Sequence, residues 1–539
     1  MEILETNFSE KLPEIVEAID RASFVAIDQE FTGLFRENTF SNPYSSIGAH
    51  FNRMQKSVDG YIVIQLGITA FWLNPENDSK FQCKSFNIFL YPRGKGSTFR
   101  CESSCIEFLV KNGLDFNKLF LQGLSYCTVQ EAEKMRSYLE KRQQEKREQL
   151  MSAERDNTSH VIVPEEEKET LEEVSEKIDE FLKSEEEELL LDTYNGFQRR
   201  LIYEMIERDY FEAISACPRE LENNRKGLVV SRKKSPEEEM KLLEEKFEQE
   251  KKNLELQIGV THILKALSES RTLIVCHNMF MDLVYLMKQF IGPLPENVDE
   301  YKKLVHEFFP NILDTKFLCT AESLKKEIKS TVLPHILEDC RKAPFTMPEV
   351  ESLGEQKYSI ESVKEHEAGY DSFITGICFI SLAIYLKIHP KDLNANCKKL
   401  KSFKNKIFLM GLENITHMNL TGPDEKPSRS HVFHITFPST WKNTDIVRHF
   451  RNFGDVQIKW LNKESAFVAL LKREYATCLM KKIGRTPNVT VMTHADYEAS
   501  QVQEMSAGNK RKSSEMARGE VDETSSKKAK KFDENPDWK

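Results

Sequence analysis

The chain has 539 residues, 40% hydrophobic and 30% charged, enough for about three or four domains with sizeable cores. Its 34 Phe and 15 Tyr exclude a wholly disordered chain, and a formal charge of −10 excludes a uniformly basic nucleic-acid coat while leaving room for local basic patches. No run reaches the roughly 18 apolar residues of a membrane span; the longest, 373–386, is interrupted by Gly376 and reads as a buried helix. The acidic N-terminus has no apolar signal core, which predicts a protein that is not secreted. Eleven cysteines without a CxxC pair predict reduced, mostly buried thiols rather than a zinc ribbon or disulfide framework.

In chain order, 24–27 is a short apolar run followed by Asp28-Gln29-Glu30, and 61–72 and 86–91 read as strands. From about 130 the composition turns charged and helix-favouring, with a compact apolar-patterned segment at 193–219. A second charged stretch, 235–255, carries a narrow stripe of Met240, Leu243, Phe247 and Leu254. We read 131–255 as an insertion holding a small domain at about 165–235. The α/β pattern resumes with a strand at 271–276, a helix at 279–290, a strand or turn near 313–316 and a long helix at 365–386. A basic linker at 398–406 leads into a βαββαβ unit, the split-βαβ plan. The expected organisation is therefore an α/β multidomain chain. A mixed-sheet domain is built from 1–130 and 256–405, the insertion comes between them, the βαββαβ domain spans 406–500, and a disordered basic tail spans 501–539.

Three segments carry the chemistry. Side chains alternate along a strand, so Asp28 and Glu30 leave the same face. Two carboxylates that close repel unless a cation lies between them, and a hard ion such as Mg²⁺ suits oxygen ligands. Asp282, in LIVCHNMFMD, falls in the first turn of a helix, where the dipole favours an anion. His277 and Asn278 precede it and read best as helix caps. Asp371 follows His366-Glu367-Ala368-Gly369-Tyr370 at the head of an apolar helix, where the small residues permit close backbone approach.

Asp-x-Glu on a first strand, an Asp after a strand–turn, and His-x-Ala-x-x-Asp on a late helix resemble the DEDDh 3′–5′ exonucleases, an RNase-H-like family. The strings FVAIDQEFTGL, HNMFMDL, ILDTK and HEAGYDSFITGICF resemble, more closely, the eukaryotic poly(A)-specific ribonucleases, over nearly the whole chain. The resemblance implies that Asp28, Glu30, Asp282 and Asp371 hold two Mg²⁺, with His366 as general base on the attacking water. It implies single-stranded RNA with a 3′ poly(A) tract as substrate, 5′-AMP as product, and a homodimer. Lys316 is a candidate phosphate contact, and Phe31 and Leu34 are candidates to pack on the terminal adenine.

The segment 196–206 resembles a helical nucleic-acid-binding domain named for an Arg-x-x-x-His spacing; Arg199 matches, but Tyr203 stands where the His belongs. Arg199 and Arg200 are candidate phosphate contacts. The 407–499 unit resembles an RNA-recognition motif. Phe433 takes the first-strand aromatic place, while Ser465 and Leu470 leave the base-stacking platform depleted. Trp460, at the end of the second strand, takes the place that stacks on the 7-methylguanosine cap in that family. Two basic clusters, 510–512 and 527–531, resemble a bipartite nuclear-localisation signal and imply a nuclear and cytoplasmic protein. Two other readings stay open: a 3′-end trimmer of small RNAs, whose known form carries a membrane segment and lacks such a cap-binding domain, and an inactive RNA-binding relative, against which all five site residues speak.

Overall fold

A computed structural model describes every residue except 35–41, 94–96, 152–162, 192–193, 212, 221–225, 233–235, 355–356, 363, 484–485 and 501–539. The basic tail and its two clusters lie outside the described residues.

The first compact unit comprises residues 1–126 and the chain from 260 onward. Its centre is a seven-stranded mixed sheet. The order across it is Glu2–Ile3, Asn77–Phe89, Val63–Asn74, Phe24–Phe31, Leu273–Cys276 and Ile312–Asp314, with Glu349–Leu353 pairing in parallel with the outer half of Asn77–Phe89. Phe24–Phe31 runs antiparallel to Val63–Asn74 and parallel to Leu273–Cys276. The strand expected at 24–27 continues through the acidic residues, so Asp28 and Glu30 are strand residues, opposite Gly67 and Gln65. The strand expected at 86–91 begins at Asn77; its first residues are polar and exposed, which hides a strand from a reading based on hydrophobicity. Glu2–Ile3 and Glu349–Leu353 are too short or too polar to announce themselves.

Helix Ala368–Tyr385 lies against this sheet, and 83% of it is buried. It is apolar on all sides because it is a core element, although by length and composition it resembles a membrane span. Phe24 stacks on Phe71 with centroids 4.8 Å apart and meets Phe379 edge-on at 4.9 Å. Each such buried ring contributes roughly 1.5–3 kcal/mol of transfer free energy. Two glycines let the helix come this close. A Cβ on Gly67 would fall 1.8 Å from the Ala368 carbonyl oxygen, and one on Gly376 would fall 2.1 Å from the Phe71 ring.

The C-terminal domain has strands Val432–Thr436, Val456–Asn462, Ser465–Leu470 and Thr490–Thr493, all antiparallel, with helices Asn443–Phe450 and Ala476–Lys482. Sheet order, second–third–first–fourth, is that of the expected βαββαβ plan. The register corrects one expectation. Phe433 and Leu470 point to the helix side, packed with Ile446 and Phe450, and Ser465 is buried. The opposite face carries Phe467, which is covered by Tyr44 at 5.5 Å, Tyr497 at 5.1 Å and His494 at 5.7 Å. The stacking platform is thus covered from within the chain, by a residue from the nuclease half and by the segment after the last strand.

The second unit, residues 127–259, encloses the expected insertion. Helices Val129–Met151 and Pro236–Ile258 pair along Ala132, Leu254 and Ile258, with Arg136–Glu255 at 3.0 Å and an Arg142–Glu250 ion pair beside the seam. Between them in sequence, helices Lys168–Lys183 and Gly196–Asp209 share a core with the three-stranded sheet Glu188–Leu191, Lys226–Arg232, Ile214–Glu220. The charged stretches are therefore paired helices.

Gly67→Ala is expected to lower stability by about 1–3 kcal/mol, because the new methyl group overlaps backbone that cannot swing aside. Urea unfolding of the variant beside the parent protein checks this; an unchanged midpoint would contradict the close approach.

Candidate active site

Phe24–Phe31 delivers Asp28 and Glu30 to one cleft and turns the intervening Gln29 away, buried, with its amide on the Asp282 carbonyl oxygen at 3.4 Å. Asp282 lies in the first turn of helix Phe280–Leu286. Asp371 lies in the first turn of Ala368–Tyr385, and its Oδ2 accepts the backbone N–H of His366 at 3.1 Å. Glu30, His366 and Asp371 each place one ligand-type atom within 4.8 Å of the others. Asp28 feels the charges of Asp371, Asp282 and Glu30 together. The residues singled out from three distant segments thus meet in one place.

The helix expected at 365–386 starts three residues later, at Ala368. His366 stands just before it in a left-handed turn, φ +67°. Its ring meets Phe108 edge-on at 4.5 Å. Burial pulls the His366 imidazole below its ordinary pKa, with Glu365 opposing, so the ring is neutral and able to take a proton near pH 7.

Burial, reinforced by mutual repulsion, holds the acids protonated. Asp28 and Glu30 are raised well above the usual carboxylate range. Burial pushes Asp282 up to about 7, with Asp314 adding to it, and likewise pushes Asp371 up to about 7. No lysine or arginine figures among the causes of these shifts. A set of oxygen donors that repel one another and have no cationic partner fits a hard divalent cation.

Several residues that hold the cleft escaped the sequence reading. Asp314 is fully buried, and its carboxylate accepts the backbone N–H groups of Asn278, Met279, Lys316 and Phe408 at 2.9–3.2 Å. It fixes the turn that leads into Asp282, with Asn278 at φ +61°. Its signal was a lone acid ending an apolar strand, which needs donors. Gln65 and Asn87 accept the N–H groups of Ala368 and Gly369 at 2.9 and 3.0 Å, capping the helix from the sheet. His277 does not cap its helix, as expected from sequence; its ring joins Thr315 Oγ1 at 2.9 Å and the Thr331 carbonyl at 3.1 Å.

Phe31 is buried, stacked on Tyr285 at 4.3 Å, whereas Leu34 is 39% exposed. The Lys316 amine lies over the Phe408 ring at 5.4 Å. In the second unit Arg199 donates to the Tyr194 carbonyl at 3.2 Å, and Tyr203 packs against the core of the small domain. Trp460 is 39% exposed; its indole N–H donates to Asn443 Oδ1 at 2.6 Å and its ring meets Phe437 edge-on at 5.0 Å.

A model of the CAF1 family of ribonucleases matches residues 3–379, and one of an RNA-binding domain matches 422–500. The chain is 35% identical to the Xenopus laevis poly(A)-specific ribonuclease PARN over 515 residues, 92% of this chain and 81% of that protein. It is 35% identical to the Homo sapiens protein of the same name over 517 residues, covering 92% and 80%. Against the Bombyx mori pre-piRNA 3′-exonuclease trimmer it is 24% identical over 529 residues, covering 93% and 94%.

The raised carboxyls carry a prediction in EDTA. A carboxyl whose folded pKa lies above its unfolded value of 3.8 stabilises the fold below that value and loses the contribution as pH rises through about 7. Asp282→Asn removes one such group. Its melting temperature relative to the parent should rise between about pH 4 and pH 8. Parallel melting curves would contradict the assignment.

Proposed function

The chain belongs to the CAF1 family of ribonucleases, and we infer from that membership and its acidic cleft that it is a 3′–5′ exoribonuclease that shortens poly(A) tails. The carrying observation is the convergence of Asp28, Glu30, Asp282 and Asp371 with His366, from segments far apart in sequence, onto one cleft. Glu30, Asp28, Asp282 and Asp371 hold the metal. Two Mg²⁺, when bound, supply a water of lowered pKa and charge neutralisation at the leaving 3′ oxygen.

The chain's own residues do the rest. An imidazole nitrogen of His366 takes the proton from the attacking water, and the Asp371–His366 backbone bond keeps the ring at the mouth of the cleft. The 3′-terminal base rests on exposed Leu34, behind which Phe31 and Tyr285 form a stacked floor. Lys316, held over Phe408, meets a phosphate as a point charge. The product is 5′-AMP. Arg199 adds a sequence-independent phosphate contact from the insertion.

The cap reading rests on Trp460, an exposed indole anchored through its N–H to Asn443, which leaves its ring available to a cationic purine. The homodimer rests on family likeness, and the nuclear and cytoplasmic placement on the basic clusters of the tail.

A 5′-labelled single-stranded RNA ending in adenosines, with Mg²⁺ or EDTA, tests the reading. Metal-dependent shortening from the 3′ end that slows at the first non-adenosine is the expected result. Trimming through any sequence would favour a small-RNA trimmer, and binding without shortening an inactive relative. Asp28→Ala should reduce hydrolysis to background with the fold intact by circular dichroism; normal hydrolysis would sink the site assignment. Trp460→Ala should weaken binding of a cap analogue by about tenfold or more, the loss of one stacked purine, and leave uncapped poly(A) hydrolysis unchanged. Equal losses on both substrates would assign Trp460 to packing.

A further inference from the structure

Between the catalytic domain and the covered sheet of the C-terminal domain lies a cavity of about 450 Å³, away from both the acidic cleft and Trp460. One wall is Tyr44 and the start of helix Ile47–Ser57; the other includes Arg429 and the segment after the last strand. Trp460 pairs with Ala466 and therefore shares the helix side of the C-terminal sheet, whereas Tyr44 covers Phe467 on the opposite face.

Two donors here have no internal use. Tyr44 is 1% exposed, yet its hydroxyl has no hydrogen-bond partner. The Arg429 guanidinium stacks over the Tyr44 ring at 5.1 Å and donates through Nη2 to the Glu413 carbonyl, but its Nη1 is buried without a partner. A buried hydroxyl left unpaired costs about 1–3 kcal/mol, so a fold that keeps one is spending stability on something outside itself. At the same wall, helix Ile47–Ser57 begins with Ser46, whose hydroxyl takes only the Ala49 N–H. The N–H groups of Ile47 and Gly48, both lining the cavity, come before the first intrahelical bond and face it as anion donors. Lys426 stands exposed at the rim.

The cavity is not uniformly positive. Asp299, Glu425 and Glu498 also line it, and Asp424 is neutralised by the buried amine of Lys302 at 2.9 Å. A bare anion would meet these carboxylates as well as the donors. The lining suits a ligand with an anionic end for Tyr44, Arg429 and the helix start, and hydroxyl or amino donors for the acids. The volume lies within the range of small-ligand sites.

We propose that this cavity is a binding site for a phosphate-bearing nucleotide, separate from the catalytic cleft and from the Trp460 surface. The phosphate lies against Tyr44 Oη, Arg429 Nη1 and the start of Ile47–Ser57, and the ribose or base donors face the acidic side. The same chemistry is offered by a free mononucleotide and by a nucleotide within a bound RNA chain. The site has a route to the reaction: His50, on that helix, stacks at 5.3 Å on Phe280, which opens the short helix carrying Asp282.

The test uses the full chain in EDTA, where the metal-free acidic cleft repels phosphate and no hydrolysis occurs, so it does not depend on the catalytic reading. Binding of 5′-AMP, inorganic phosphate and a short oligoadenylate is measured by calorimetry for the parent, Tyr44→Phe and Lys426→Ala. Tyr44→Phe should melt at or above the parent temperature and bind nucleotide about tenfold more weakly, the loss of one hydrogen bond to a charged group. Lys426→Ala should weaken binding less. Loss confined to 5′-AMP identifies a free-nucleotide site; loss confined to the oligoadenylate identifies a station on the RNA path. Unchanged binding of all three probes overturns the proposal. A lower melting temperature for Tyr44→Phe also overturns it, since the hydroxyl would then have an internal partner.

Discussion

Four carboxylates in one part-buried cleft cannot all be anions unless a counter-charge lies among them, and that repulsion organises the catalytic half of the molecule. The surrounding protein supplies no lysine or arginine to relieve it; instead it supplies rigidity. Asp314 gathers four backbone donors to lock the turn before Asp282. Gln65 and Asn87 reach from the sheet to cap the helix that carries Asp371. Gly67 stands opposite Asp28 so that helix and strand can touch. These contacts are made through backbone, so the acids are held by geometry that does not relax when their charge changes. A cleft of this kind keeps its shape and alters its protonation, which is what a site that binds and releases cations requires.

The acidic residues and His366 were legible because each lies in a short local pattern whose chemistry is visible at the residue level. Their supports were not. Asp314 looks like any polar residue closing a strand until the four N–H groups around it are known. The helix start was placed too early because residues 365–367 have ordinary helical composition, and only the left-handed turn at His366 excludes them. The outer half of Asn77–Phe89 was missed because an exposed edge has no hydrophobic alternation to read. Phe433 was given the wrong face because a one-position choice of register reverses every side chain on a strand. Tyr44 could not be connected to Phe467 by any local argument, since the contact is wholly tertiary.

That contact changes what the C-terminal domain can offer to RNA. Its broad sheet surface, the usual seat for stacked bases, is occupied by Tyr44, His494 and Tyr497. Recognition must therefore use edges: the Trp460 corner on the helix side, and the cavity beside Arg429. The covered surface has become an internal joint, reinforced by Lys459–Glu413 and by the Glu413 N–H on the Pro43 carbonyl at 2.6 Å. Residues 42–46 belong to the stretch that leaves the catalytic strand, so the joint grips the chain close to the reacting end.

The insertion leaves after Tyr126 and returns at Val260, whose N–H donates to the Ser125 carbonyl at 3.3 Å. Its two ends therefore meet at a single backbone hydrogen bond. The catalytic sheet joins strands very far apart in the chain: Thr272 Oγ1 donates to the Ala22 carbonyl across 250 positions. Closing so long a loop from an unfolded chain costs entropy before any contact repays it. The two long paired helices are local structure, which forms early and draws residues 126 and 260 together. Once they zip, the gap that the sheet must bridge is short in effect, and the second half of the nuclease is delivered to the first. The insertion then serves as a folding clasp for the domain it interrupts.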